Sequence, residues 1–298
     1  MRSVAAAMLP LLDDGVDLVV VQGDTSSALG GALAAFTAGI AVAHVEAGLR
    51  THDPLLPWPE EEYRTAIDSD ADLLFAPTEL AARNLTAEQV PGEVHVTGNT
   101  GIDALLAIEP ALPPRGALGP VPHIVVTCHR RESWGEGLES IAAALREIAC
   151  VARIEFVLHP NRHVAATMRA RLGGVEGIRL IPPCSHRELL ERMREADLIL
   201  SDSGGIQEEA PFLGIPLLVL REKTERPEGI AAGNALLVGT GTDRIVREAQ
   251  RLLSDRSALA RMARPCLPYG DGHAAPRIAA IIESWLERRR NSAVRRTA

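Results

Sequence analysis

Short apolar runs rich in Val, Ile and Leu recur along the chain, and each gives way within a few residues to a stretch of helical character. Asp17 to Gln22, Ile40 to Val45, Leu73 to Ala76 and Val94 to Val96 form a first series. A second series lies near His123–Cys128, Glu155–Leu158, Ile178–Ile181, Leu198–Ser201, Leu217–Leu220 and Leu236–Val238. Continuous β-branched runs such as Asp17 to Gln22 predict strands buried on both faces, and their alternation with helices predicts parallel, doubly wound sheets. Glu109 to Pro122 is rich in Pro and Gly, lacks periodicity and reads as a linker. The chain is therefore expected to hold an N-terminal Rossmann-like domain over residues 1–109 and a C-terminal one over 110–273. A last helix from about Ala274 to Arg289 should pack back on the first domain, ahead of a basic tail to residue 298.

Composition narrows the class of function. With 31 Lys and Arg against 39 Asp and Glu, the formal net charge of −8 argues against broad binding to nucleic acid or a membrane surface. No run is long and apolar enough for a transmembrane helix. Met1 to Pro10 faintly resembles a signal peptide, but its apolar core is too short and acidic Asp13-Asp14 follow at once, so the chain reads as cytoplasmic. Cys128, Cys150, Cys184 and Cys266 are scattered without a paired motif, which suggests neither a zinc site nor a disulfide framework.

Asp202-Ser203-Gly204-Gly205-Ile206-Gln207-Glu208-Glu209 follows the run Asp197–Ser201 and opens a helix that Gly214 ends. Two glycines at a strand-to-helix turn let backbone N–H groups approach a ligand, and the helix start favours an anion. Glu209, one turn in, can accept hydrogen bonds from a ribose diol, so the stretch reads as a nucleotide site or as a plain strand–turn–helix joint. Ligands of such sheets bind outside the carboxyl ends of the strands, where Asp24, Glu46, His129, His159 and Ser203 fall. Two such domains predict a cleft with enzymatic chemistry. Each residue also has a plainer reading. Asp24 can cap the next helix, although Ser26 can do so instead. Glu60 can serve the helix dipole in a solvated Glu60-Glu61-Glu62 start. His129-Arg130-Arg131 suits a pyrophosphate, or forms a surface cluster with Glu132. Arg226 can reach a phosphate or pair with Glu222. His159 and His163 are four apart, but Pro160 makes a helical metal pair improbable.

These pieces, in this order, resemble the non-hydrolysing UDP-N-acetylglucosamine 2-epimerases. The matching stretches are Gly23-Asp24-Thr25, His44 to Arg50, Pro59-Glu60-Glu61, Gly98-Asn99-Thr100, His129 to Glu132, Asp202 to Pro211, Glu225 to Glu228, and Pro268 to Gly272. The resemblance implies the GT-B architecture, two Rossmann-like domains around a cleft in a homodimer. It implies interconversion of UDP-GlcNAc and UDP-ManNAc by elimination of UDP to 2-acetamidoglucal and its re-addition, with no metal and no nicotinamide cofactor. Carried over by position, it assigns catalysis to Asp24, Glu46, Glu60 and His129. It assigns UDP contacts to Ser203, Gly204, Gly205, Glu209 and Arg226. Arg130 and His159 match positions that help hold a second UDP-GlcNAc as an allosteric activator. A GT-B glycosyltransferase and a non-catalytic nucleotide-binding remnant remain the competing readings; the three first-domain carboxylates favour the epimerase.

The chain departs from the family pattern in three places. Tyr63 stands where Asn is usual before Arg64. Cys184 and Leu189 stand where a polar residue and an aromatic line the uracil site. Nothing before Asp17 matches the family's opening strand and its Gly-Thr-Arg-Pro-Glu loop, whose Arg contacts the diphosphate. The resemblance thus predicts a first domain lacking its first strands, roughly 60–80 residues at about 30 per β/α unit. It further predicts that these residues alone fold well only in the second domain and turn over poorly.

Overall fold

The computed structural model describes residues 1–12, 15–116 and 119–297. The acidic pair Asp13-Asp14 and residues 117–118 of the expected linker lie outside the described residues, as do the side chains of the tail from residue 293 onward. The chain divides into two compact units, Met1–Ala104 with Tyr269–Ala298, and Leu105–Pro268.

The first unit runs α1 (Arg2–Met8), β1 (Leu18–Gln22), α2 (Ser26–Ala38), β2 (Ala41–Val45), α3 (Glu60–Asp68), β3 (Leu73–Ala76), α4 (Glu79–Glu88) and β4 (Glu93–Val96). Helix α5 (Thr100–Ile108) follows in the chain and belongs to this unit only as far as Ala104, whereas the long C-terminal helix α13 (Ala274–Thr297), numbered last in chain order, belongs here throughout. The sheet is parallel in the order β1-β2-β3-β4. Thr25 and Thr78 cap α2 and α4 by accepting from Ala28 N and Ala81 N, and Gly39 ends α2 in the left-handed conformation. One sheet face packs Val19, Val21, Val42 and Leu74 against Leu29, Ala32, Ile67 and Leu85. On the other face, Ile278 and Trp285 of α13 pack against Ala41, Ala43, Leu73 and Phe75.

The burial expected for the first apolar run is corrected here. Among the described strands β1 pairs only with β2 and forms the sheet edge. Val19 and Val21 are buried beneath α2, whereas Val20 is 52% exposed. Leu18 is partly buried against the α13 cluster, to which Val20 does not belong. A β-branched run reports that a strand is favourable there, but what covers each face is decided by elements distant in sequence.

The second unit contains β5 (His123–Thr127), α6 (Glu136–Ile148), β6 (Arg153–Val157), α7 (Arg162–Leu172), β7 (Ile178–Ile181), α8 (His186–Glu195), β8 (Leu198–Ser201) and α9 (Gly204–Leu213). It continues through β9 (Leu217–Val219), α10 (Glu228–Ala231), β10 (Ala235–Leu237), α11 (Thr242–Ser254) and α12 (Arg256–Met262). The parallel order β10-β9-β8-β5-β6-β7 is the doubly wound topology, reversing direction between β5 and β8. Residues Ile124, Val126, Phe156, Leu198 and Leu200 meet α6, α7 and α11 on one face, while Val125, Ile199, Leu217 and Val219 meet α8 and α9 on the other. The reversal leaves a crevice at the carboxyl ends of β5 and β8, and the loops after these two strands build the site.

Candidate functional site

In the second unit, Thr127 and Ser201 are register partners at the last positions of β5 and β8, and their hydroxyls hydrogen-bond at 2.7 Å. Ser201 Oγ also accepts from Ser203 N at 3.0 Å, fixing the turn into α9. Asp202 between them is fully buried. Its carboxylate accepts from the backbone N–H of His129 at 2.8 Å, from that of Arg130 at 2.8 Å and from Cys128 Sγ at 3.1 Å, so it holds the whole loop after β5. Burial opposes its charge, yet these bonds and the His129 ring outweigh burial and keep its carboxyl below the usual carboxylate range. Beside the same Asp, burial pushes the Cys128 thiol up and keeps it protonated.

An ionised Asp202 fixes the state of its neighbour. His129 Nδ1 lies 3.2 Å from Asp202 Oδ1, so Nδ1 carries a proton and Nε2 is left to meet a ligand. The ring of His159 stacks on that of His129, with centroids 5.0 Å apart and planes 14° from parallel. His159 Nδ1 accepts from Asn161 N at 3.1 Å, while burial and the adjacent His129 lower its proton affinity. A neutral imidazole therefore backs the His129 ring.

Helix α9 starts at Gly204 with Ser203 as N-cap, and no side chain caps it. A Cβ on Gly204 would lie 2.9 Å from Arg226 Nη1 and 3.4 Å from Arg130 Nη2, so only glycine lets both guanidinium groups stand this close to the helix start. Arg226 is held by Glu208 at 2.5 Å and by Glu225, not by Glu222, which accepts from Thr240 N instead. Arg221, fully buried, bridges Glu225 at 3.0 Å and Glu132 at 2.8 Å. Glu132 thus anchors Arg221 and is not merely part of a surface cluster. Free N–H groups, two guanidinium groups and an imidazole Nε2 on neighbouring loops suit an anion such as a diphosphate.

Beside this cationic corner is a pocket of about 260 Å³, whose walls include Val157, Pro183, Cys184, Leu189, Ile206 and Glu209. That volume is just below the roughly 300–1,000 Å³ of whole-ligand pockets, so it has room for part of a nucleotide-sized molecule. Its apolar walls suit a planar group, and the Glu209 carboxylate in its wall is able to accept hydrogen bonds. Glu209 already receives a hydrogen bond from His186 Nε2 at 2.7 Å, a partner that sequence reasoning missed.

In the first unit two of the expected carboxylates, Asp24 and Glu46, follow strand ends, and the third opens a helix. Asp24 follows β1, but Thr25 and neither Asp24 nor Ser26 caps α2. Asp24 Oδ2 instead accepts from Arg64 Nη2 at 2.5 Å and Nε at 3.1 Å. Glu46 follows β2 with φ of 69°, a left-handed conformation unusual for a residue with a side chain. Its Oε1 lies 3.4 Å from Gln22 Nε2, and its Oε2 would be 3.7 Å from a Cβ on Gly23. Backbone held in a sparsely populated region often marks a functional position. Glu60, half-buried, opens α3.

The reading of Glu60-Glu61-Glu62 as a solvated run is corrected at its middle member. Glu61 is 5% exposed, accepts from the N–H groups of Thr51 and His52 at 2.9 Å each, and pairs with Arg64 at 3.0 Å. Those partners offset the cost of burying its charge. Asp68, on the same helix face, accepts from His44 Nδ1 at 2.6 Å, Gly48 N at 3.0 Å and Arg50 Nη2 at 2.8 Å. Gly48 has φ of 81°, and a Cβ there would be 2.3 Å from the carbonyl oxygen of Ala81, so the turn after β2 requires glycine. The one signal available was spacing: Glu61, Arg64 and Asp68 recur at three and four residues, which is one face of a helix.

Known proteins match this arrangement. The family model described as UDP-N-acetylglucosamine 2-epimerase matches residues 6–283. The UDP-N-acetylglucosamine 2-epimerase of Salmonella typhimurium is 45% identical over 291 residues, covering 92% of this chain and 77% of that protein. The Escherichia coli K12 enzyme of the same name is 44% identical, over 90% of this chain and 76% of its own length. The crystal structure of UDP-GlcNAc 2-epimerase from Neisseria meningitidis bound to UDP-GlcNAc superposes with a TM-score of 0.87 at 38% identity, covering 96% of this chain and 81% of that one.

Proposed function

The chain belongs to the UDP-N-acetylglucosamine 2-epimerase family, with the α/β units of the GT-B type, and from that premise we infer that it interconverts UDP-GlcNAc and UDP-ManNAc. The observation that carries the reading furthest is the uncapped start of α9, flanked by Arg226 and Arg130 and adjoining a pocket that ends on Glu209. In this proposal Ser203, Gly204, Gly205 and Arg226 take the diphosphate, Glu209 takes the ribose hydroxyls, and the apolar walls take the uracil.

The reaction begins with removal of the C2 proton and cleavage of the bond between C1 and the UDP oxygen, giving 2-acetamidoglucal and UDP. It ends with re-addition of that oxygen to C1 and delivery of a proton to the opposite face of C2. The C2–H bond is weakly acidic, so the leaving anion must be stabilised as the proton departs. The helix start, Arg226 and His129 can serve that anion. Removal on one face and delivery on the other calls for more than one proton-carrying group, and Asp24, Glu46 and Glu60 are proposed to provide them. The family resemblance extends the proposal to Arg130 and His159 as holders of a second, activating UDP-GlcNAc, to a homodimer, to a cytoplasmic setting and to a place in cell-surface polysaccharide biosynthesis.

Calorimetry with UDP tests the nucleotide assignment. Glu209→Ala is expected to weaken binding by about 1–3 kcal/mol, the scale of a lost buried hydrogen-bond partner. Unchanged affinity would remove Glu209 from the ribose site.

A further inference from the structure

We propose that His186 is a positioning residue for nucleotide binding, holding the carboxylate of Glu209 in the orientation that accepts the ribose hydroxyls. The proposal rests on the nucleotide reading of this pocket and adds to it a residue from a different helix.

His186 is the first residue of α8, and its backbone is fixed by a reciprocal cap. Ser185 Oγ accepts from Glu188 N at 3.3 Å, while Glu188 Oε2 accepts from Ser185 N at 2.8 Å. From that anchored start the imidazole reaches α9 and meets Glu209 Oε1 at 2.7 Å. Both side chains line the pocket. A carboxylate only accepts, so Nε2 carries the proton, and it does so whether the ring is neutral or charged. The hydrogen bond also raises the proton affinity of the ring, which favours the same donor.

The geometry leaves capacity for a diol. An ionised carboxylate offers about four lone-pair positions, and His186 occupies one on Oε1. The rest can receive two vicinal hydroxyls. Glutamate has three rotatable side-chain bonds, and freezing them on binding costs affinity. A carboxylate already pinned from the neighbouring helix avoids that loss. His186 is 45% exposed at the side chain, against 13% for Glu209, so the ring is an outer support and not part of the packed core.

The test compares UDP with 2′,3′-dideoxy-UDP by calorimetry on the whole protein. His186→Leu should weaken UDP binding about three- to tenfold, the scale of one hydrogen bond, and leave the dideoxy ligand within about twofold. His186→Gln, whose amide N–H can replace the Nε2–H, should recover most of the UDP affinity. In a Glu209→Ala background, His186→Leu should cause no further loss, because the two residues act as one unit. Equal weakening of both ligands, or no weakening of UDP, would overturn the role of His186 while leaving the nucleotide site standing. An unsubstituted protein that bound neither ligand would overturn the nucleotide reading and this proposal with it.

Discussion

Glu46→Gln and His129→Asn should each lower turnover by about two to four orders of magnitude, the range of general acid–base contributions, while UDP affinity stays within a few-fold. The expectation follows from how each side chain is held. Glu46 sits in a left-handed conformation beside Gln22 and Gly23, where a carboxylate is delivered from the end of a buried strand. Gln keeps the shape and removes the ability to take a proton. His129 has its Nδ1 committed to Asp202, so its Nε2 is the functional atom. Asn can keep a bond to Asp202 but presents no titrating nitrogen. Ground-state UDP binding in this account rests mainly on the start of α9, on Arg226 and on Glu209, which neither substitution touches, while His129 Nε2 serves the anion chiefly as its charge develops on leaving. Steady-state kinetics paired with UDP calorimetry separates the two effects. Wild-type turnover in either variant removes that residue from catalysis, and a large parallel loss of UDP affinity makes it a binding group instead.

Asp68→Ala is expected to destabilise the first unit by about 3–5 kcal/mol, the cost of leaving a buried charge without its partner. Asp68 is fully buried and joins His44, Gly48 N and Arg50, so its removal takes the buried carboxylate from both an imidazole and a guanidinium group. Arg50 keeps its fork to Glu88 at 2.7 and 2.6 Å, but Glu88 is 34% exposed at the side chain. Glu88→Gln should therefore cost less, about 1 kcal/mol, because Glu88 is partly exposed and buried Arg50 keeps Asp68. Urea unfolding monitored at Trp285, which is buried in this unit, measures both. Similar midpoints for the two variants would contradict the ranking.

The same group sets a pH dependence. Burial alone would raise the Asp68 pKa, but the bonds from His44, Arg50 and Gly48 outweigh it and depress the folded value. A depressed carboxylate contributes stability that is present above the unfolded value, about 3.9 for Asp, and is lost as pH falls through the folded value. The first unit of the parent should lose stability across that acidic window, and Asp68→Asn should flatten the loss.

Local chemistry explains which parts were readable in advance. Strand runs, the Gly204-Gly205 turn and the Gly214 stop depend on residues adjacent in the chain, and the second sheet follows them closely. Several contacts at the candidate site span longer separations. His44 and Asp68 are 24 apart, Asp24 and Arg64 are 40 apart, and His129 N reaches Asp202 across 73 residues. Glu61 looked solvated because its backbone partners, Thr51 and His52, arrive from a loop whose path no periodicity encodes. Val20 looked buried because nothing within β1 says what covers each of its faces. His186 carried no motif at all; only the approach of α8 to α9 gives it a partner.

The most direct test is to incubate the protein with UDP-GlcNAc in D₂O and follow the sugar by NMR. The account predicts formation of UDP-ManNAc with deuterium at C2, and deuterium at C2 in the UDP-GlcNAc recovered at equilibrium. Absence of both, with UDP released and the sugar transferred only when an acceptor is supplied, would contradict the epimerase reading and favour a glycosyltransferase.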